Sequence, residues 1–170
     1  MSVADVVRDY GPLAGLLGVT ITLAVTGRRA ARTARQAIHA RAVEAVVAYL
    51  EMPFAVRRRR HESEHRSAER VRLTEAFSAI QAELASCEAL MRADKSARVR
   101  DQYASLVTTL RGCAGKQASL AWSTPPIERD EDIGMADVYQ ALEPVREAQR
   151  SFEGVAAMSS RRCWGISRRS

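Results

Sequence analysis

A short segment at residues 61–65 carries the side chains of this chain that are best suited to chemistry. His61-Glu62-Ser63-Glu64-His65 satisfies the pattern HExxH and also the pattern HxxEH. On a helix, side chains four residues apart share one face, so both imidazoles could bind one Zn²⁺ while a glutamate activates a water molecule. Taken alone, the pattern indicates a metalloprotease.

The surroundings of this motif argue against a zinc site. Arginines occupy all of positions 57–60, and Arg66 follows the motif, so cations would surround a bound Zn²⁺. Almost no apolar residue flanks the motif, and a third ligand such as Glu69 or Glu83 would have to be chosen freely. We therefore interpret the segment as a charged, solvated helix face, and a zinc hydrolase is kept as an alternative.

No other catalytic apparatus is visible in the sequence. The chain has three histidines, and no serine or cysteine lies beside a candidate base. Cys87, Cys113 and Cys163 are too widely spaced for a disulfide framework or a cysteine zinc site. We predict that the chain is not an enzyme, with no catalytic residue, no metal and no cofactor.

The composition predicts the elements that carry these residues. Aromatic residues make up only 5% of the 170 residues, and alanine and leucine supply most of the apolar side chains, which favours an all-α fold. A chain of this length suits one domain with an appendage. The net charge of +6 comes mainly from arginines spread along the chain, so a basic polyanion-binding protein is a further alternative.

An uncharged segment at Tyr10–Gly27 predicts a single N-terminal transmembrane helix. At 1.5 Å per residue it spans roughly 27 Å of a hydrocarbon core of roughly 30 Å. Arg28, Arg29 and Arg32 follow the segment and place its C-terminal side in the cytoplasm, with the N-terminus outside. A cleaved signal peptide would carry its positive charges before the apolar run, and a buried core helix would need a larger domain around it.

Small residues within the span predict close packing between membrane helices. Gly11 and Gly15 form GxxxG, and Gly18 continues the small-residue spacing with Ala14. This spacing favours self-association, and a small membrane-perturbing oligomer is a third alternative function.

The segment between Gly27 and Gly112 contains no glycine and only one proline, Pro53, so long helices are predicted there. Pro53 is expected to kink or end the first helix. The charged stretch 57–72 is predicted to stay helical through pairs of opposite charge four residues apart. The apolar stripe of the first helix consists of Ala40, Val43, Val47, Leu50 and Phe54.

Two apolar seams with alternating spacings of three and four residues predict a helical hairpin. A polar connection at 94–96 separates them, and one uninterrupted helix is the alternative. The helix-interface residues of the two seams are Leu73, Phe77, Ile80 and Leu84, and Val99, Tyr103, Leu106 and Leu110. The first seam continues to Cys87 and Met91, and the second continues to Cys113, Gln117 and Leu120.

The C-terminal part predicts a linker, a last helix and a tail. Residues 123–134 form an acidic linker with two adjacent prolines, and the basic tail 159–170 is expected to be loose. The last helix carries Val138, Leu142, Val145, Phe152 and Ala156 on one face, with Pro144 as a kink.

These elements together predict a transmembrane helix at 10–27 followed by a cytoplasmic helical domain at 28–158. The domain is expected to be a three- to four-helix antiparallel bundle or a coiled-coil hairpin. The expected function is a membrane-anchored module for protein interaction and oligomerisation. The expected partners are membrane lipid and a second copy or another helical protein, with no specific nucleic acid and no small-molecule substrate.

Overall fold

A computed structural model describes the backbone of residues 3–60, 64–127 and 135–162, and the side chains of 26–27, 29–60, 64–127 and 135–159. Every regular element in these ranges is a helix, which confirms the all-α prediction. The helices are α1 (Val3–Arg57), α2 (Arg66–Arg92), α3 (Ala97–Ser123), α4 (Ala136–Ala141) and α5 (Glu143–Arg162). The chain divides into a first unit of residues 1–37 and a second unit of residues 38–170.

The first unit contains the predicted membrane span. The side chains of residues 1–25 and of Arg28 lie outside the described part of the chain. The glycines predicted to pack membrane helices, Gly11, Gly15 and Gly18, fall in this range, so their packing is not described. No helix built from the described residues is long and apolar enough to cross a bilayer. The span therefore stays a prediction. Of the flanking arginines that are described, Arg29 is exposed and Arg32 is half-buried.

In the second unit, α2 runs antiparallel to α1. Arg41, early in this part of α1, pairs with Glu83, which lies well along α2. Tyr49, farther along α1, meets Phe77, which lies earlier on α2, with ring centroids 5.1 Å apart. Because later residues of one helix meet earlier residues of the other, the two helices point in opposite directions.

The helix α3 runs parallel to α1, and α5 runs antiparallel to both. His39 near the start of this part of α1 contacts Asp94, just before α3, and Arg59 beyond the end of α1 reaches Ala121 near the end of α3. His39 also contacts Phe152, well along α5. The four long helices of this unit thus alternate in direction, and the predicted helical bundle is confirmed.

The predicted helix-interface residues of α2 and α3 lie in the interior of this bundle. Phe77 and Ile80 are half-buried against the core. The other six are buried: Leu73, Leu84, Val99, Tyr103, Leu106 and Leu110. The alternative of one uninterrupted helix is wrong, because residues 93–96 separate α2 from α3 and the Ser96 hydroxyl caps α3 by accepting the Val99 N–H.

Beyond Leu110 the predicted seam of α3 is wrong, because the residues it names do not lie on the buried face of the helix. Leu120 is 55% exposed, and Cys113 and Gln117 are half-buried. The buried positions are taken by Ala114, Ala118 and Ala121. A straight α-helix drifts away from a strict 3.5-residue repeat, so the face toward the core moves round the helix over successive turns. The Tyr49 side chain of α1 reaches this part of α3, since a Cβ on Gly115 would lie 3.4 Å from the Tyr49 hydroxyl.

The predicted stripe of α1 is likewise only partly the buried face. Leu50 and Phe54 are buried and Val43 is half-buried, but Ala40 is exposed and Val47 is 43% exposed. The remaining core positions on this helix are Ala42, Ala45, Val46, Tyr49, Met52 and Val56. Three neighbouring helices surround this part of α1, so its apolar face is wider than a single seam.

The structure corrects the predictions around the arginine cluster in part. The helix α1 continues through Pro53 and ends at Arg57, so of the two effects predicted for the proline, a kink or the end of the helix, it does not end the helix at Pro53. The helix does not extend through 57–72, because residues 58–60 and 64–65 form turns and irregular structure and α2 begins at Arg66. Solvated arginines offer no buried face to hold a helix here, and the chain must reverse to run antiparallel to α1.

The C-terminal predictions are partly corrected. Ser123 is the last residue of α3 rather than linker, and residues 128–134 lie outside the described part. A break at Leu142 separates α4 from α5, because Pro144 has no N–H to continue the helix and instead sits in the first turn of α5. The helix α5 runs to Arg162, so the start of the predicted loose tail is helical, and residues 163–170 are not described. The five predicted apolar residues of this last helix are all buried: Val138, Leu142, Val145, Phe152 and Ala156.

Candidate functional site

The guanidinium of Arg59 joins the C-terminal ends of α1 and α3. Its Nη1 donates to the carbonyl oxygens of Val56 and Ala121, both at 2.8 Å. Its Nη2 donates to the Thr124 carbonyl at 2.7 Å and lies 3.5 Å from the Trp122 carbonyl. The last carbonyl groups of a helix have no partner within the helix and carry partial negative charge, so one cation satisfies two helix ends at once.

Further contacts hold Arg59 in place. Its guanidinium carbon lies 5.6 Å from the centre of the Trp122 ring, a cation–π arrangement. The backbone N–H of Ile127 donates to the Arg57 carbonyl at 2.9 Å, which ties the chain after α3 to the end of α1. Burial lowers the pKa of Arg59 from its ordinary value, and the charges of Arg57 and Arg70 lower it further. Arginine is nevertheless protonated at neutral pH.

A groove of about 310 Å³ lies beside this guanidinium. We call it the basic groove, and its lining residues are Arg59, Arg60, Arg66, Glu69, Arg70, Trp122 and Pro126. Arg59, Trp122 and Pro126 are half-buried and form the inner wall, whereas Arg60 and Arg70 are exposed at the rim. Positive charge therefore lies both at the wall and at the opening.

The one carboxylate among the described residues that line the basic groove is already paired with an arginine. Glu69 accepts two hydrogen bonds of 2.8 Å from Arg72, and this pairing lowers the pKa of Glu69. Within the described residues, Arg60 and Arg70 form no salt bridge. The positive end of the α2 dipole adds to their charge, since α2 begins at Arg66.

The described residues of the zinc motif do not form one face of a helix. Glu64 and His65 lie in a turn before α2, and the side chains of His61, Glu62 and Ser63 lie outside the described residues. The described residues contain no group of three or more histidine, cysteine or carboxylate side chains placed to hold a metal ion.

A second surface feature lies between α1 and α5. This α1/α5 groove, of about 300 Å³, is lined by Val47, Leu50, Glu51, Phe54, Arg146, Gln149 and Arg150. Val47 is 43% exposed and provides an accessible apolar side chain. Arg146 stacks on Tyr139 with its guanidinium carbon 4.9 Å from the ring centre, and Glu143 pairs with both Arg146 and Arg150.

Sequence reasoning missed both grooves. The arginines at 57–60 were interpreted as a solvated face, and Trp122 was not singled out, although the two meet through Arg59. A run of arginines followed by turn residues is a signal for helix C-capping, but nothing in the sequence identifies α3 as the second helix to be capped. The stripe of α1 contained Val47 and Leu50 without indicating that one is a surface residue.

No protein-family model matches the chain, and neither a curated protein nor a solved structure matches it. The site must therefore be interpreted from its own geometry and chemistry.

Proposed function

We propose that this chain is a membrane-anchored interaction module whose helical bundle pairs with a second copy through the α1/α5 groove. The observation that carries the proposal is the exposed side chain of Val47, which lies beside buried Leu50 and Phe54 in a groove bordered by charges of both signs. An apolar centre with a polar rim is the usual anatomy of a protein–protein interface.

The charges of the groove favour a second copy as the partner. Glu51 lies on the α1 side and Arg146 and Arg150 lie on the α5 side. A two-fold pairing sets Glu51 of one copy against an arginine of the other, and the same contact is made twice because such interfaces are self-complementary. Six of the eight predicted helix-interface residues are less suited to this purpose, since they are buried in the bundle interior.

The anchor is the uncharged segment Tyr10–Gly27, and its support is the sequence alone. Its length approaches the thickness of a hydrocarbon core, and the arginines that follow it favour a cytoplasmic bundle. Anchoring raises the local concentration of the bundles, which helps a modest interface to pair.

The pairing is tested on the full chain in detergent by light scattering after size exclusion, together with crosslinking. We expect the mass of two chains for the natural sequence and the mass of one chain for Val47→Glu, because a buried unpaired charge is costly. The matched control is Leu120→Glu, which puts the same charge on an exposed leucine of α3 outside the groove and should leave the dimer intact. A single-chain mass for the natural sequence, or equal effects of both variants, contradicts the proposal. Crosslinking only to a different protein points instead to another helical partner.

The anchor is tested by fractionating cells that express a C-terminally tagged chain. We expect the tag in the membrane fraction after alkaline extraction, and degraded by protease only when the cytoplasmic side is opened. The variant Ile21→Arg should move the chain toward the soluble fraction, because an arginine at the centre of a span costs about 3 kcal/mol on insertion scales. Extraction of the natural chain by alkali contradicts anchoring.

A further inference from the structure

We propose that the basic groove binds the phosphate group of a small, soluble phosphorylated ligand that carries at least two negative charges. The groove lies at the end of the bundle where Arg59 joins α1 to α3, and the α1/α5 groove has no lining residue in common with it. The proposal therefore does not depend on dimer formation.

The charges of the basic groove call for a multivalent anion. Four arginines line it, and the one carboxylate among its described lining residues, Glu69, is paired with Arg72, which lies outside the groove. Arginine binds phosphate oxygens with two parallel N–H donors, which makes it the side chain best matched to a phosphate. Arg60 and Arg70 are exposed at the rim and form no salt bridge with another described residue, so an incoming anion can accept hydrogen bonds from them.

The inner wall of the groove is preorganised. The guanidinium of Arg59 donates hydrogen bonds to the carbonyls of Val56, Ala121 and Thr124. These bonds hold its positive charge in a fixed position. Binding to a site whose charges are already positioned loses less side-chain entropy. The beginning of α2 contributes its N-terminal dipole, which favours an anion at the same place.

The dimensions of the groove favour a small ligand over a polymer. A volume of about 310 Å³ is at the lower end of the range for small-molecule sites. The ring of Trp122 and Pro126 form an apolar surface on which the carbon skeleton of a phosphate ester can lie. A nucleic acid or a lipid bilayer is contacted along an extended positive surface, whereas these four arginines surround one pocket.

The test uses pyrophosphate as the probe and the full chain in detergent with Trp164→Phe, so that Trp122 is the only tryptophan and its fluorescence reports on the groove. We expect a saturable fluorescence change with the natural arginines. The double variant Arg60→Gln/Arg70→Gln should weaken binding about tenfold or more, because each lost arginine removes a charge-assisted hydrogen bond. Isothermal titration provides a second measurement that does not depend on the fluorophore.

The matched control is Arg92→Gln/Arg98→Gln, which removes the same charge from two exposed arginines near the α2–α3 connection. We expect its affinity for pyrophosphate to stay within about twofold of the natural chain, since distant exposed charges are screened by salt. Equal weakening by both double variants, or no saturable binding, overturns the proposal. Circular dichroism of each variant confirms that the helices are retained.

Two further arms separate the possible sources of the phosphate. Vesicles that contain phosphatidic acid and a single-stranded oligonucleotide are each tested for binding that depends on Arg60 and Arg70. The choice of a small soluble ligand is overturned if Arg60 and Arg70 are needed for binding to the vesicles or the oligonucleotide but not for binding to pyrophosphate. The Val47→Glu variant should bind pyrophosphate with unchanged affinity, so failure of the dimer and failure of this site are distinguishable.

Discussion

Two polar contacts join α1 to α3 at opposite ends of the bundle, and they use different chemistry. At the Arg59 end, a permanent cation donates to carbonyl oxygens at the ends of α1 and α3. At the His39 end, the buried imidazole of His39 lies 3.2 Å from the carboxylate of Asp94, which precedes α3. The edge of His39 also contacts the ring of Phe152 on α5, with centroids 6.1 Å apart.

The difference lies in the charge that each of these two contacts leaves without an opposite partner. At the His39 end the carboxylate of Asp94 accepts from His39 and also from the Ser96 N–H at 2.8 Å, so its acceptors are used inside the fold. At the Arg59 end, carbonyl groups without net charge accept from a full cation, and the rim arginines Arg60 and Arg70 add further positive charge. The His39 contact pairs its carboxylate within the fold, whereas the Arg59 contact leaves a positive charge that no carboxylate of the described residues pairs, and this charge supports the proposed anion site.

The largest expected effect is at Phe152, whose buried ring joins the His39 contact to the core. The substitution Phe152→Ala should lower the free energy of unfolding by about 3–5 kcal/mol, because it removes a fully buried aromatic ring and leaves a cavity. Urea denaturation followed by circular dichroism measures the loss. The exposed Leu120→Ala should cost less than about 0.5 kcal/mol, and comparable losses for the two variants would contradict this core assignment.

The next effect is expected at Arg59. The substitution Arg59→Met keeps much of the side-chain volume but leaves carbonyl groups of both helix ends without their donor. We expect a loss of about 2–3 kcal/mol in the free energy of unfolding. The neighbouring Arg60→Met, at an exposed position, serves as the control and should change the stability by less than about 0.5 kcal/mol. Similar losses of stability for both variants would show that the hydrogen bonds of Arg59 do not stabilise the helix ends.

A smaller loss is expected at the opposite end. The substitution Asp94→Ala removes the partner of buried His39 and the acceptor of the Ser96 N–H, and should cost about 1–2 kcal/mol. In a double-mutant cycle with His39→Ala, the combined loss should be smaller than the sum, because each single change already breaks the pair. Strict additivity would mean that the two side chains do not interact.

A small gain in stability is expected when the buried hydroxyl of Tyr103 is removed. Its ring lies 5.2 Å from that of Phe152, and its hydroxyl is buried without a hydrogen-bond partner in the described part of the chain. Burial raises the pKa of this hydroxyl, so it stays neutral throughout the physiological range. The substitution Tyr103→Phe should leave the stability unchanged or raise it by up to about 1 kcal/mol. A loss of stability of more than about 1 kcal/mol would reveal a hydrogen bond made by the hydroxyl.

The smallest effect is expected from two half-buried carboxylates that pair with exposed arginines, one toward each end of the bundle. Hydrogen bonds from Arg41 and from Arg72 lower the pKa of Glu83 and of Glu69 below their ordinary value of 4.5. A lowered folded-state pKa means that the contribution to stability is complete above pH 4.5 and is lost as the pH falls through the folded-state value. Glu83→Gln and Glu69→Gln should therefore each make stability between pH 5 and pH 3 slightly less dependent on pH, as measured by thermal unfolding at successive pH values, since exposed pairs contribute little. An unchanged profile in both variants would show that the pairs do not form in solution.

The helical character of this chain could be predicted from the sequence because its determinants are local. The absence of glycine from Gly27 to Gly112 favours long helices, and the polar residues at 94–96 interrupt the apolar seams where α2 ends and α3 begins. The seam of α2 was also predictable, since the same face is covered along most of its length. Each of these signals is contained within one element or at its boundary.

The candidate site could not be predicted in this way. Arg59 meets Trp122 and Ala121 only because α1 and α3 are parallel neighbours whose ends coincide. Likewise, the exposure of Val47 depends on which neighbours cover the opposite face of α1. A periodic pattern identifies an apolar side of a helix but not the helix that packs against it.

The sequence by itself thus determined the all-α class, the positions of α2 and α3 and the uncharged segment Tyr10–Gly27, because hydrophobic periodicity and charge are properties of neighbouring residues. Only the tertiary structure decided that Arg59 joins two helix ends, that His39 meets Asp94, and that a groove lined by four arginines lies beside Trp122. These contacts join residues far apart in the chain, and they form only when the packing of all four long helices brings those residues together.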